Sequence, residues 1–343
     1  MRMTRLESFK NEYVMDKNKN HEREIAIKNK YSINPNTTSL NIQVQKILKR
    51  KTIDFYEKDY HRPQCIFNIY LKKFNITIFG RKMISPLFEK NLIQSINCSM
   101  ITSDMIIGIL NSQKKVERDI TISYYPLHDG ERRRLFEIIK EDRLLNIEYP
   151  FKYYEYFTSQ ECDSPTNGWK VNHDTRLNLF NGEEHLRKFT IKVIKQLKIN
   201  CGSILFDPAC STGDFLYEIK KEFPNVQTIG QDLSKEMVEC AKSKIDIIYC
   251  GDSLFTPILD DSVNFVFLRF LNSKVVTTSK EEKLYNSLIK KVKKDGYIIC
   301  FGHTPVLLSL NFMKKNNLKL LLCNGYDEEY DAVFQYYVFQ KYE

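Results

Sequence analysis

The sequence predicts an α/β protein, with a doubly wound sheet of seven strands in the C-terminal half and a mainly helical α+β domain before it. Two observations carry this prediction. A strand, a tight turn of small residues and a helix follow one another over residues 203–215. Apolar runs then alternate with helical patterns, and two of those runs end near Asp232 and Asp252. This order is typical of parallel strands joined by helical crossovers.

Length and composition set the class of protein. A chain of 343 residues predicts two domains, which we divide into residues 1–180 and 181–343. No run of 18 apolar residues and no apolar leader are present, so we expect a cytoplasmic protein without a membrane span. The nine cysteines include no CxxC pair. We expect Cys250, Cys300 and Cys323, which lie in predicted strands, to be buried reduced thiols rather than disulfides or zinc ligands, and we predict no metal.

The net charge is +9, which raises the question of nucleic-acid binding. The basic residues are dispersed along the chain, and no RNA-binding module is recognisable. We therefore expect the lysines to be spread over solvent-exposed faces. We also expect a small-molecule substrate rather than a nucleic acid. The sequence does not indicate an oligomeric state.

The N-terminal domain is expected to be mixed and mainly helical. Its predicted elements are a helical arm at 1–30, helix packing from 52 onward, a strand at 76–79, a helix at 85–96, a helix capped by Ser103 with its apolar run at 105–110, a strand at 120–125 and a helix at 131–141.

The C-terminal domain is expected to begin with a helix at 182–197, capped by Asn181 with Glu184 in a capping-box position. His185 lies in this helix, either as a structural residue or as a catalytic base. The elements predicted after it are strands at 204–207, 228–232, 247–250, 263–268, 297–302, 318–323 and 332–339, and helices at 214–223, 234–244, 280–293 and 306–316. The last two strands are expected to form an antiparallel hairpin.

The turn Asp207-Pro-Ala-Cys-Ser-Thr-Gly213 resembles motif I of class I S-adenosylmethionine (SAM)-dependent enzymes. Small residues allow the backbone to approach a cofactor, and N–H groups at the start of a helix favour a carboxylate. Ala209 and Ser211 stand where glycines are common. The resemblance implies the class I methyltransferase-like (Rossmann-like) fold and a SAM-binding turn made of Asp207, Pro208, Ala209, Cys210, Ser211 and Gly213.

The later strand ends extend this cofactor site. Asp232 closes the second strand, where an acidic side chain accepts hydrogen bonds from ribose hydroxyls, and Leu233 is expected to lie against the adenine. In SAM enzymes an aspartate at the position of Asp252, next to Ser253, meets the adenine amino group. Arg269 follows at the carboxyl edge of the sheet, where ligands bind.

Aromatic and polar residues are dense over residues 149–181. This segment is either an interdomain packing surface or a lid over the cofactor. As a lid, its tyrosine faces would stabilise the sulfonium by roughly 0.5–2 kcal/mol, and its polar groups would hold the amino-acid moiety, with Arg176 pairing with the carboxylate. The candidate catalytic residues of the lid are Tyr153, Tyr154, Tyr156, Asp174 and Asn178.

The motif I turn, the stretch from Asp174 to Phe189 and the tyrosine cluster together resemble the branch of azetidine-2-carboxylate, isonocardicin and discadenine synthases. The resemblance covers roughly residues 145–343 and implies attack on the 3-amino-3-carboxypropyl chain of SAM, with release of 5′-methylthioadenosine. The attacking group is either the cofactor's own amine or a small-molecule acceptor.

Two other functions stay open from the sequence. One is a small-molecule methyltransferase; methylation of nucleic-acid bases is disfavoured, because the Asn/Asp-Pro-Pro-aromatic motif is absent after the fourth strand, where Leu268-Arg-Phe-Leu271 stands. The other is a catalytically silent protein of the same fold that binds RNA or a partner through its basic surface.

Overall fold

The computed structural model describes residues 37–58, 66–81, 100–117, 119–151, 170–171, 184–271, 275–302 and 310–342. They divide into two compact units. The first contains the described residues up to 151 together with Tyr326–Phe334, and the second contains the other described residues from 170 onward. The predicted domain boundary at residues 180–181 lies outside the described residues and stays a prediction.

The first unit is built on a six-stranded antiparallel sheet, so the prediction of a mainly helical domain is wrong. Its strand order is β1-β5-β4-β3-β2-β6. The strands are β1 (Ile53–Glu57), β2 (Ile66–Leu71), β3 (Ile76–Arg81), β4 (Ile106–Val116), β5 (Asp119–Pro126) and β6 (Ile147–Glu148). Among its described residues this unit contains two helices, α1 (Thr37–Ile47) and α2 (Asp129–Glu141).

The predicted strand at 76–79 is confirmed as β3, whereas burial on both faces explains why β2 was mistaken for a helix. Five of the six residues of β2 are buried, so the strand lacks the apolar–polar alternation that identifies a half-exposed strand. Ser103 begins a 3-10 turn, Ser103–Met105, rather than an α-helix, and β4 follows directly. The β-branched residues Ile106, Ile107 and Ile109 favour the extended backbone there.

Other predictions in this half are confirmed or fall outside the description. The strand at 120–125 and the helix at 131–141 are confirmed as β5 and α2. The predicted helices at 1–30 and 85–96 lie outside the described residues.

Both faces of the first sheet are apolar. One face packs in a core with α1 and α2 that includes Leu40, Val44 and Phe136. The opposite face carries a second cluster, which includes Phe55, Phe79 and Tyr124. A strand in a sheet with two apolar faces is a nearly continuous hydrophobic run. Such a run lacks the alternation by which a strand is recognised in a sequence.

Most of the seven-stranded sheet predicted from the sequence lies in the second unit. Its strands are β7 (Ile204–Asp207), β8 (Gln227–Asp232), β9 (Ile247–Cys250), β10 (Val263–Arg269), β11 (Val292–Phe301), β12 (Leu318–Asp327) and β13 (Ala332–Lys341). The order is β12-β13-β11-β10-β7-β8-β9. The strands β9, β8, β7, β10 and β11 run parallel, and β13 is antiparallel to β11.

In the part of the chain that the structure describes, five helices accompany this sheet: α3 (Glu184–Gln196), α4 (Asp214–Glu222), α5 (Lys235–Ala241), α6 (Thr278–Lys291) and α7 (Leu310–Lys315). Ser234 caps α5 as predicted, because its hydroxyl accepts a hydrogen bond from the backbone N–H of Met237 at 3.3 Å. The strand order reverses between β7 and β10, and this switch point is where doubly wound sheets bind ligands.

The described cysteines are free thiols. Cys300 and Cys323 are buried as expected, whereas Cys250 is exposed at the end of an edge strand, contrary to its predicted burial. None of the described helices has the length and apolar character needed to cross a membrane.

Candidate cofactor site

Three chain segments meet at the carboxyl ends of β7, β8 and β9. The backbone N–H of Cys210, in the turn after β7, donates to the carbonyl of Gln231 in β8 at 2.9 Å. The hydroxyl of Ser253, after β9, donates to the carbonyl of Pro208. These bonds join the three predicted cofactor-binding segments into one edge beside the switch point.

The turn after β7 adopts left-handed backbone conformations. The φ angles are 53° at Ser211 and 78° at Gly213. A Cβ added at Gly213 would lie 2.9 Å from the Cβ of Ala241, which ends α5. Gly213 is therefore required by both its conformation and the close approach of α5, while Ala209 and Ser211 replace the other expected glycines.

A buried ion pair lies beneath this turn. The Nε of Arg269 donates to the Oδ2 of Asp207 at 2.6 Å, and the two side chains are 2% and 0% exposed. Arg269 also donates from Nη2 to the carbonyl of Ala209 at 3.4 Å, and its guanidinium lies 4.4 Å from the ring centroid of Phe215. Burial raises the pKa of Asp207, and the charge of Arg269 acts in the opposite direction. The pair thus holds the turn while adding no net charge to the site.

Asp232 closes β8 with both carboxylate oxygens directed at backbone N–H groups. Its Oδ2 accepts from Ser211 at 2.8 Å, and its Oδ1 accepts from Ser234 at 2.9 Å. Burial raises the pKa of Asp232, although both N–H bonds favour the charged form. A carboxylate has about four acceptor positions, so these two bonds orient Asp232 and leave it able to accept from ribose hydroxyls.

The segment after β9 carries Asp252 and Ser253. Asp252 accepts from the backbone N–H of Leu254 through Oδ1 at 3.0 Å, which starts a 3-10 turn over Ser253–Phe255. The backbone N–H of Gly251 donates to the carbonyl of Asp232 at 2.9 Å. The predicted ribose and adenine residues therefore lie on directly connected backbone segments.

Sequence reasoning missed a lysine that fixes the motif I turn from the far side. The Nζ of Lys244 lies 2.9 Å from the carbonyl oxygen of Thr212 and 2.7 Å from the Oδ1 of Asp214. The hydroxyl of Thr212 also donates to the Oδ2 of Asp214 at 2.6 Å. The acidic residue in the first turn of α4 was a readable signal, whereas nothing in the sequence linked Lys244 to it.

Comparisons with known proteins agree with this geometry. A family model described as a methyltransferase domain matches residues 205–296. Isonocardicin synthase from Nocardia uniformis subsp. tsuyamanensis is 30% identical over 248 residues, which cover 72% of this chain and 81% of that protein. This chain belongs to the class I SAM methyltransferase-like superfamily, in the family of isonocardicin synthase. The resemblance inferred from the sequence is confirmed, and the chain is a SAM-dependent transferase.

More distant relatives match a smaller part of the chain. Demethylmenaquinone methyltransferase from Staphylococcus saprophyticus subsp. saprophyticus is 27% identical over 138 residues, covering 37% of this chain and 56% of that protein. Among solved structures, magnesium protoporphyrin IX methyltransferase from Synechocystis gives a TM-score of 0.39 at 11% identity, covering 50% of this chain and 86% of that chain.

Three more of the predicted site residues are described by the structure, and each is at least partly buried. Leu233 is half-buried next to Asp232. Cys210 is buried against Gly230, and burial raises the pKa of its thiol well above the usual range, which makes it a packing residue of the turn. His185 is buried in α3. The other candidates lie outside the described residues: Tyr153, Tyr154, Tyr156, Asp174, Arg176 and Asn178.

The described residues fit SAM through backbone and carboxylate groups rather than through a metal. The turn 207–213 carries small side chains and begins a helix whose first N–H groups lack intrahelical partners. Across the part of the chain that the structure describes, no three His, Cys, Asp or Glu side chains lie close enough to hold a metal ion. The roles of individual residues toward SAM stay predictions.

Proposed function

We propose that this transferase displaces 5′-methylthioadenosine at the γ-carbon of the 3-amino-3-carboxypropyl chain of SAM. The observation that carries the proposal is the 30% identity to isonocardicin synthase over 81% of that protein. An acceptor amine or hydroxyl would yield an aminocarboxypropylated small molecule. Attack by the amine of SAM itself would yield azetidine-2-carboxylate.

The chemistry asks little of the protein at the leaving group. A nitrogen or oxygen lone pair forms the bond to the γ-carbon, and the carbon–sulfur bond breaks toward sulfur. The sulfonium becomes a neutral thioether, and the nucleophile loses its proton. No acid is required at sulfur, so the enzyme acts mainly by positioning the two centres and excluding water.

The described residues would supply the nucleoside half of this arrangement. Asp232 is oriented by two backbone N–H groups and would accept from the ribose hydroxyls. The Asp207–Arg269 pair holds the turn that would approach the methionine portion. A rigid nucleoside half fixes the sulfur, and the contacts of the amino-acid half then set the direction of the Cγ–S bond, opposite to which the nucleophile must attack.

The amino-acid half is proposed to come from residues 149–181. Arg176 would bind the carboxylate as a bidentate pair, and a tyrosine face would stabilise the sulfonium. For cyclisation the attacking amine must be neutral, and an apolar aromatic surrounding lowers its pKa by disfavouring charge. The proposed contributors are Tyr153, Tyr154, Tyr156, Asn178 and, as bases, Asp174 and His185.

Methyl transfer to a small molecule is the second candidate function. It is favoured by the methyltransferase-domain match at residues 205–296 and by the similarity to demethylmenaquinone methyltransferase. The two reactions share the nucleoside site and differ in the carbon that lies in line with the nucleophile.

Product analysis after incubation with SAM tests the proposal. Methylthioadenosine and azetidine-2-carboxylate from SAM alone would support cyclisation, and methylthioadenosine that forms only with added small amines or phenols would support transfer. S-adenosylhomocysteine would identify a methyltransferase instead. An absence of turnover combined with salt-sensitive RNA binding would contradict both enzymatic proposals. The D232A variant should lose whichever product forms, which excludes a contaminating activity.

A further inference from the structure

Gln231 links the ends of two strands at the cofactor edge. It lies next to Asp232 in β8 and is 2% exposed. Its side-chain Nε2 donates to the carbonyl oxygens of Gly251 at 3.3 Å and of Asp252 at 3.0 Å. The side chain therefore binds the turn that follows the neighbouring strand β9.

The two carbonyl acceptors determine the orientation of the amide, because only its NH2 group can donate to both. Its Oε1 then faces away from them and has no hydrogen-bond donor among the described residues. Burying an acceptor without a donor costs free energy, and an apolar side chain of the same size would avoid that cost. The linkage to Gly251 and Asp252 is therefore the feature that requires a glutamine.

Packing holds this turn only in part, through Leu254, which lies against the hydrophobic core of the seven-stranded sheet. Gly251 has a φ of 148°, and a Cβ added to it would meet no atom within 4 Å. Phe255, at the end of the same turn, is 81% exposed. The position of Gly251 and Asp252, at the start of the turn, thus depends largely on hydrogen bonds, of which Gln231 supplies two.

We propose that Gln231 is a positioning residue that sets the purine selectivity of the cofactor site through Asp252. The inference rests on the proposed use of SAM. Asp252 already has its Oδ1 directed at the N–H of Leu254, and a carboxylate has further acceptor capacity for a purine 6-amino group. A 6-oxo purine places a carbonyl acceptor where that amino group stood, which the carboxylate repels, and it offers a donor only from the neighbouring N1 position. Selecting between the two purines requires an Asp252 that is fixed in position. Gln231 binds the carbonyl groups of Gly251 and Asp252, and these two bonds hold the backbone of Asp252 in place.

The test compares SAM with its 6-oxo analogue, S-inosylmethionine, by calorimetry. The Q231M variant keeps the side-chain volume and removes the donor. The matched control is Q227M, which places the same substitution at an exposed position of β8. We expect the parent protein and Q227M to favour SAM strongly, and Q231M to bind SAM about tenfold more weakly while its affinity for S-inosylmethionine changes by less than about twofold. Should Q231M fail to fold, Q231L provides the same comparison, since leucine also removes the donor without burying a charge.

The ratio of the two affinities separates positioning from general loosening. Equal weakening of both ligands in Q231M, or no preference for SAM in the parent protein, would overturn the inference. Failure of the parent protein to bind either ligand would instead contradict the proposed function, so the two failures are distinguishable.

Discussion

The substitution R269M tests whether the buried ion pair holds the motif I turn. Methionine preserves much of the side-chain volume but leaves the Asp207 carboxylate without its charged partner. The two side chains are 2% and 0% exposed, so solvent cannot replace the lost interaction. Removing one member of a buried pair costs about 3–5 kcal/mol of unfolding free energy. The variant should also lose SAM affinity, because the carbonyl of Ala209 loses its donor.

The double variant D207N/R269M provides the control. It removes both charges and keeps an oxygen at residue 207 to accept from the N–H of Ala209, as Asp207 does at 3.0 Å. Replacing a whole buried pair by neutral groups is often close to neutral in stability. We therefore expect the double variant to recover most of the stability that R269M loses. A double-mutant cycle from urea unfolding, followed by far-ultraviolet circular dichroism, measures this coupling.

The pH dependence of R269M follows from the same pair. Burial already raises the pKa of Asp207, and loss of Arg269 removes the charge that opposes this rise. A carboxyl with a raised folded-state pKa contributes stability at low pH, which is lost as the pH rises through that pKa. The loss of unfolding free energy in R269M should therefore be largest near neutral pH. It should shrink as the pH falls toward the ordinary aspartate pKa of about 3.9. This reasoning would be refuted if R269M lost less than about 1 kcal/mol of unfolding free energy, or if the loss did not depend on pH.

The remaining predictions concern the cofactor contacts. D232A should bind SAM about tenfold or more weakly, since a hydrogen bond to a charged group contributes about 1.5–3 kcal/mol; unchanged affinity by calorimetry would remove Asp232 from the site. Because burial raises the pKa of Asp232, SAM affinity should fall on acidification at a pH above the ordinary range of an aspartate, which a calorimetric pH series would detect. G213V should abolish SAM binding while the far-ultraviolet circular dichroism is kept, because a Cβ there meets Ala241; G130A, whose Cβ meets nothing within 4 Å, is the control. R176A should raise the KM for SAM and lower kcat together, and parent-like kinetics would leave the segment 149–181 as packing alone.

The sheet and its ligand-binding edge could be predicted from the sequence because their signals are local. A parallel strand buried on both faces is a short apolar run, as in β7, which Asp207 ends, and Asp232 marks the end of the next strand, β8. The antiparallel sheet of the first unit was missed for the same physical reason. In β2 burial on both faces removes the alternation that identifies antiparallel strands, and no turn motif or acidic strand end was present to compensate.

The site contacts that the sequence did not reveal are made between distant residues. Arg269 was expected to face the ligand at the strand end, but its nearest partner is a carboxylate 62 residues earlier in the chain. Lys244 reaches Asp214 from the turn after α5. Gln231 alternates with Asp232 on β8, so the strand directs it away from Asp232, where only the structure reveals Gly251 and Asp252. Side-chain partners of this kind follow from the packing of elements and not from local pattern.

The most direct test of the central claim follows the two halves of SAM separately. The enzyme is incubated in parallel with SAM labelled in the methyl group and with SAM labelled in the carboxyl group of the methionine portion. We predict that the methyl label stays with methylthioadenosine, while the carboxyl label appears in azetidine-2-carboxylate or in an aminocarboxypropylated acceptor. Transfer of the methyl label to an acceptor, with the carboxyl label retained in S-adenosylhomocysteine, would contradict the proposal.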